Sequence, residues 1–118
     1  MRLVMPLPPN VANERGHWRT RNRRKLAFMG ECDHRQLLGL IPPPPERPWS
    51  HVTLAAHFHL HNLMDKHDNL RFRLKYPSDW LVTRGYIDDD GPDNITVVGV
   101  DQCIDRKDKR LVLDLEAP

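Results

Sequence analysis

From His51 to Leu63 apolar and polar positions alternate, with Val52, Leu54, Ala56, Phe58 and Leu60 on one side and His51, Thr53, Ala55, His57, His59 and His61 on the other. A two-residue period is that of a strand with one buried face, and this is the clearest strand in the chain. Leu3-Val4-Met5, running into Pro6, Pro8 and Pro9, predicts a short extended strand that stops where proline removes backbone donors. A loop through Asn10 and Asn13 follows. Between about Thr20 and Leu40 there is no proline, and Leu26, Met29, Leu37, Leu38 and Leu40 recur at loosely helical spacing, which predicts a helix despite Gly30 and Gly39. The four prolines from Pro42 to Pro45, continued by Glu46 to Pro48, predict a stiff extended connector.

Asp68 suits the N-cap of a second helix carrying Leu70, Leu74, Leu81 and Val82, bent or divided by Pro77 and ended by Gly85. Trp80 and Tyr86 fall at spacings that predict core positions. Ile95 to Cys103 and Arg110 to Glu116 read as two strands joined by the charged turn Asp105-Arg106-Lys107-Asp108, hence as a hairpin. The order β-α-β-α-β-β predicts an α+β fold, a small mixed sheet with two main helices. At 118 residues the chain has room for one domain, so 1–118 is expected to form a single unit in which the segment at about 42–48 separates elements only.

Composition narrows the class. Hydrophobic residues make up 39% of the chain, enough for a modest core, and no run approaches the length of a membrane span. The opening Met-Arg-Leu-Val-Met-Pro lacks the apolar stretch of a signal peptide, so a cytoplasmic location, in a bacterium or a phage-infected host, is expected. Cys32 and Cys103 form no CxxC pair, which predicts neither a disulfide framework nor a thiolate zinc site, and they are expected to be free, inert thiols. No P-loop, dinucleotide fingerprint or nucleophile triad is present, which argues against a nucleotide cofactor. The net charge of +2 conceals an asymmetry: residues 1–50 carry nine Lys/Arg against four Asp/Glu, and residues 51–118 nine against twelve. Six cations, Arg15, Arg19, Arg21, Arg23, Arg24 and Lys25, occur with His17 and Trp18 in a stretch that holds no acid. Such a run suits phosphate contacts with DNA, or else is a solvated helix face.

The candidate chemistry lies in two acidic groups, Asp65-Lys66-His67-Asp68-Asn69 at the strand-to-helix junction and Asp88-Asp89-Asp90 after the second helix. Two carboxylates about 4 Å apart repel by roughly 1 kcal/mol in bulk water and about 4 kcal/mol at an effective dielectric of 20, so a converging cluster wants a cation. Oxygen ligands without thiolate favour Mg²⁺ or Mn²⁺, which keep positions open for phosphate oxygens. The plainer reading makes Asp68 a helix cap and Asp88-Asp89-Asp90-Gly91-Pro92 a solvated turn.

Taken in order, Leu7-Pro8-Pro9-Asn10, Asp68-Asn69-Leu70, Lys75, Asp79-Trp80-Leu81 and Gly85-Tyr86-Ile87 leading into Asp88-Asp89-Asp90 resemble the RusA-like Holliday junction resolvases, especially their phage members. The likeness spans nearly the whole chain. It implies a small α+β homodimer that binds four-way or otherwise branched DNA and cuts it by Mg²⁺-dependent phosphodiester hydrolysis. By position, Asp68 matches the second acid of the family's Asp-x-Asp-Asn motif, Asp89 or Asp90 the acid of its later pair, and Lys75 a lysine beside the scissile phosphate. The resemblance thus implies Asp68, Asp89 and Asp90 as metal ligands, with Asp65 the candidate for the motif's first acid and a further ligand, and Asp88 the neighbouring acid of the later group.

The chain departs from that pattern where Lys66 stands two residues before Asp68, with Asp65 three before. Residues three apart on a regular strand face opposite sides, so Asp65 joins the site only through a bulge, for which His67 is the candidate insertion. Without that ligand the chain would be a non-catalytic DNA-junction-binding module of the same fold. A further reading places Zn²⁺ on His57, His59 and His61, which share one strand face, against the plain alternative of a polar strand face.

Overall fold

The computed structural model describes residues 1–9, 18–64 and 70–117. Its elements are β1 (Arg2–Pro6), α1 (Trp18–Leu37), β2 (Val52–Leu60), α2 (Lys75–Thr83), β3 (Ile95–Ile104) and β4 (Arg110–Glu116). They form the expected α+β arrangement, a four-stranded mixed sheet in the order β1-β4-β2-β3 with two helices. Among the described residues no helix is long and apolar enough to cross a membrane.

β2 buries alternate residues without exception: Val52, Leu54, Ala56, Phe58 and Leu60 are each 3% exposed or less. On β4 the same period buries Leu111, Leu113 and Leu115, and on β1 Leu3 and Met5. Phe28, Met29 and Cys32 of α1 and Tyr76, Trp80 and Leu81 of α2 belong to the same core, so the sheet has one covered face and one polar face.

The predicted hairpin is corrected: β3 and β4 are not neighbours, because β2 lies between them, parallel to β3 and antiparallel to β4. Strands two apart are separated by about 9.6 Å, a gap that a five-residue link, extending at up to about 3.3–3.6 Å per residue, spans easily. The charged link crosses the end of β2, where Asp105 N–H donates to Leu60 O at 2.8 Å and Arg106 Nε to His61 O at 3.2 Å. β2, with the most apolar inner face, gains bonded neighbours on both edges, whereas β3 stays half-exposed at the rim.

Both helices end as their glycines dictate. Gly39 and Gly85 take φ of +80° and +84°, the left-handed conformation that only glycine adopts without strain. Gly85 N–H reaches Val82 O and Tyr86 N–H reaches Leu81 O, closing α2, while Gly39 to Gln36 and Leu40 to Arg35 do the same for α1. The second helical stretch is interrupted before α2. Leu70 to Phe72 are helical, a turn at Arg73 and Leu74 follows, and α2 starts with Leu74 at its N-cap, without a side-chain cap; Asp68, the predicted cap, lies outside the described residues. Pro77 then falls in the first turn, where its missing N–H has no intrahelical partner to lose.

Asp33 ties the helices together. One carboxylate oxygen accepts from the fully buried Trp80 indole N–H at 2.9 Å, and the pair accepts a bidentate Arg84 guanidinium at 2.7 Å on each side. Behind it Tyr86 stacks obliquely on Trp80, accepts from Gln36 Nε2 and donates to Pro42 O, pinning the proline connector to the core.

Arg84, and to a smaller degree Trp80, hold the Asp33 carboxyl below the usual carboxylate range. The depressed native value means that this contribution is present above the ordinary aspartate pKa of about 3.9 and is lost as pH falls through the native one. Asp33→Ala, which leaves a buried indole N–H without a partner, is expected to lower the unfolding free energy by about 1–3 kcal/mol at pH 7 in urea titrations. Asp33→Asn, which keeps an acceptor, is expected to lose less, and both differences should shrink below about pH 3.9.

Candidate functional site

The connection from α2 into β3 returns the chain to the start of β2. Trp49, two residues before His51, forms a parallel bridge with Ile87, accepting Asp88 N–H and donating to Tyr86 O, each at 3.0 Å. That bridge fixes where Asp88-Asp89-Asp90 leaves the core. All three aspartates are exposed, and Asp90 N–H donates to Asp89 Oδ1 at 2.8 Å.

Asp90 faces more negative charge than its own turn supplies. Partial burial, then a hydrogen bond with Asp89, then the charge of Asp79 on α2 and a hydrogen bond with it, raise the Asp90 carboxyl above the ordinary aspartate range. Asp79 thus joins Asp89 and Asp90, and its other contact is with Lys25 of α1, Nζ to Oδ2 at 3.2 Å. Lys75 stands one helical turn before Asp79, on the same side of α2. Lys25 and Lys75 both line an open cleft of about 610 Å³ between the exposed start of α1 and the turn leading into α2, with Trp18, Arg21, Phe72 and Tyr76.

Of the expected site residues, Asp89 and Asp90 stand together with Asp79, which pairs with Lys25, while Lys75 stands one helical turn from Asp79 on the cleft wall. Asp65 and Asp68, together with Arg15, lie outside the described residues. Asp88 is fixed by its backbone, at the bridge to Trp49. Lys25 of the expected basic run pairs its ammonium with Asp79 and also lines the open cleft. Arg19, Arg21, Arg23 and Arg24 lie on the exposed first turns of α1, with the Arg19 guanidinium 5.5 Å from the centre of the Trp18 ring. A signal for Asp79 existed in the four-residue step from Lys75 to Asp79, which places both on one helix face. Nothing local announced that this face would meet Asp90.

Three carboxylates with one ammonium among them suit a hard divalent cation, since oxygen donors and an uncompensated negative charge are what Mg²⁺ or Mn²⁺ binds. Their oxygens do not converge as closely as a ready-made cage. Among the described residues, the three side chains of ligating type that do lie within mutual reach are His57, His59 and Cys103. The predicted triplet of histidines is thereby changed: His61 lies past the last residue of β2 and Cys103 of β3 takes its place.

A carboxyl with a raised native value weakens the fold once it ionises, so its penalty is absent in acid and grows as pH rises through that value. Asp90→Asn is expected to be more stable than the wild type at pH 7, with the gap closing below about pH 4. Thermal unfolding across that range checks this, and millimolar Mg²⁺ should raise the wild-type midpoint more than that of the variant.

No protein-family model matches the chain, and no curated protein matches it in sequence.

Proposed function

We propose that the protein is a Mg²⁺-dependent, structure-specific endodeoxyribonuclease of RusA-like type, which resolves four-way Holliday or other branched DNA junctions by phosphodiester hydrolysis. The observation that supports it most is the acidic group Asp79, Asp89 and Asp90 linked through Lys25 to a cleft flanked by Lys75 and by the basic, exposed start of α1. A carboxylate cluster beside a cationic cleft has the charge pattern needed to hold a divalent cation against a phosphate. Asp89 and Asp90, with Asp68 and Asp65 from the preceding segment, would be the ligands. When bound, Mg²⁺ or Mn²⁺ supplies Lewis-acid activation of the phosphodiester and of the attacking water. Lys75 places a positive charge at the cleft wall, where it offsets charge developing on the phosphate. Arg19, Arg21, Arg23 and Arg24 hold the DNA backbone and fix its orientation. Paired incision of a junction needs two sites related by a two-fold axis, so the active form is a homodimer acting in the cytoplasm of a bacterium or a phage-infected host.

The looser spacing of the carboxylates favours one other reading, a non-catalytic DNA-junction-binding module of the same fold. Incubation with a synthetic four-way junction and Mg²⁺ separates the two. Cleavage that disappears in Asp90→Asn while binding persists is the expected result; tight binding with no cleavage by the wild type, in Mg²⁺ or Mn²⁺, would establish the binding module. Neither binding nor cleavage would remove both.

Replacing Arg21 and Arg23 together by glutamine is expected to make the slope of log affinity against log salt shallower by about 1.8, at about 0.9 per phosphate contact. An unchanged slope would place the DNA on another face.

A further inference from the structure

The polar face of the sheet carries a side-chain cluster on which neither the core nor the acidic site draws. His57 and His59 project from β2 on the side opposite Ala56 and Phe58, their rings 4.8 Å apart. Cys103 sits directly across from His59 on β3, Sγ to Nδ1 at 3.4 Å. This neighbour is the product of a β-bulge. Leu54 pairs with Val97 but Ala55 pairs with Gly99, so Val98 is an extra residue and everything after it is shifted by one. In an unbroken register His59 would face Gln102, and Cys103 would point toward the core side. The shift instead turns Gln102 to the other side, where its amide holds both the N–H and the C=O of Met64, and brings the thiol onto the histidine face.

We propose that His57, His59 and Cys103 form a binding site for Zn²⁺, separate from the acidic group and independent of the nuclease reading. Two imidazoles and a thiolate are a donor set that prefers Zn²⁺ to Mg²⁺. With Zn–N of about 2.0–2.1 Å and Zn–S of about 2.3 Å, tetrahedral ligand atoms stand roughly 3.3–3.6 Å apart. The Cys103–His59 separation already has that value, and all the ligand atoms lie within 4.8 Å of one another. The widest pair needs to close by only about 1.3 Å, within the reach of a small ring rotation.

The surroundings suit the ion. Burial and the neighbouring Arg110 favour neutral His59, the form that ligates. Arg110 is itself offset by Asp105 at 3.0 Å and Asp108 at 3.1 Å, so the ion does not meet a bare cation. Asp105 lies 3.6 Å from His59 Nδ1, adding negative charge beside the site. Three protein ligands leave the fourth position to solvent, and the shallow cavity lined by His57, His59, Asp101 and Arg110 opens onto it.

Co²⁺ serves as the probe, because a thiolate–Co²⁺ bond gives an intense near-ultraviolet charge-transfer band that carboxylates and imidazoles do not. The reduced full-length protein is expected to develop this band with one equivalent of Co²⁺ and to lose it on addition of Zn²⁺. Cys103→Ser should abolish the band and weaken Zn²⁺ binding, measured against a chromophoric chelator, by tenfold or more; His57→Ala should weaken it similarly. Cys32→Ser should leave both unchanged, since Cys32 is buried and its thiol is pushed up to about 12. Asp90→Asn should also leave them unchanged, which separates this site from the acidic one. No band in the wild type, or a band and affinity that survive Cys103→Ser, would overturn the proposal.

Discussion

β2 is bonded along both edges, and most of the molecule follows from that. A strand antiparallel to one neighbour and parallel to the other cannot be reached by short turns on both sides, because a parallel partner demands a crossover. The chain meets that demand by leaving the end of β2, passing through α2, and returning beside the start of β2 at the Trp49–Ile87 bridge. Helical cover for the apolar face and delivery of Asp88-Asp89-Asp90 to the far end of the sheet are thus two results of one topological requirement.

α1 divides into halves with different physics. Its C-terminal half sinks Phe28, Met29 and Cys32 into the core and is fastened by Asp33 to Trp80 and Arg84. In its N-terminal half every residue from Trp18 to Arg24 is exposed, with one side facing Phe72 and Tyr76 across the cleft, where the Tyr76 hydroxyl donates to Arg21 O at 3.4 Å. Lys25 stands at the division, its ammonium on Asp79. The acidic group and the basic turns are therefore joined through a helix whose buried end sets the direction of its exposed end.

Much of this was legible because burial leaves a period in the sequence. The alternation through β2 named every core residue of that strand, and Gly85 marked the end of α2. What escaped is long-range. The turn at Asp105 to Asp108 has the composition of a hairpin loop whether or not a third strand lies between its arms, so the place of β2 could not be read locally. The exchange of His61 for Cys103 depends on one extra residue in β3, and strict alternation carries no trace of a bulge in the partner strand. Asp79 stood in the sequence only as part of the resemblance, with no role attached; its meeting with Asp90 depends on how the connection after α2 turns back at the Trp49–Ile87 bridge. Asp65 and Asp68, in contrast, stand on sequence alone.

The extra residue in β3 also bears on how the sheet ends. β3 is a rim strand, and a rim strand with a regular row of unpaired N–H and C=O groups is a template on which another chain can add itself. Val98 breaks that row near its middle and twists it, and the exposed Asp101 sets a charge on the segment beyond. At the opposite rim β1 is only five residues long and closes on Pro6, which has no N–H to offer. Both borders of the sheet thus resist extension by a foreign strand, a protection against fibrous association that a small sheet with one open face needs.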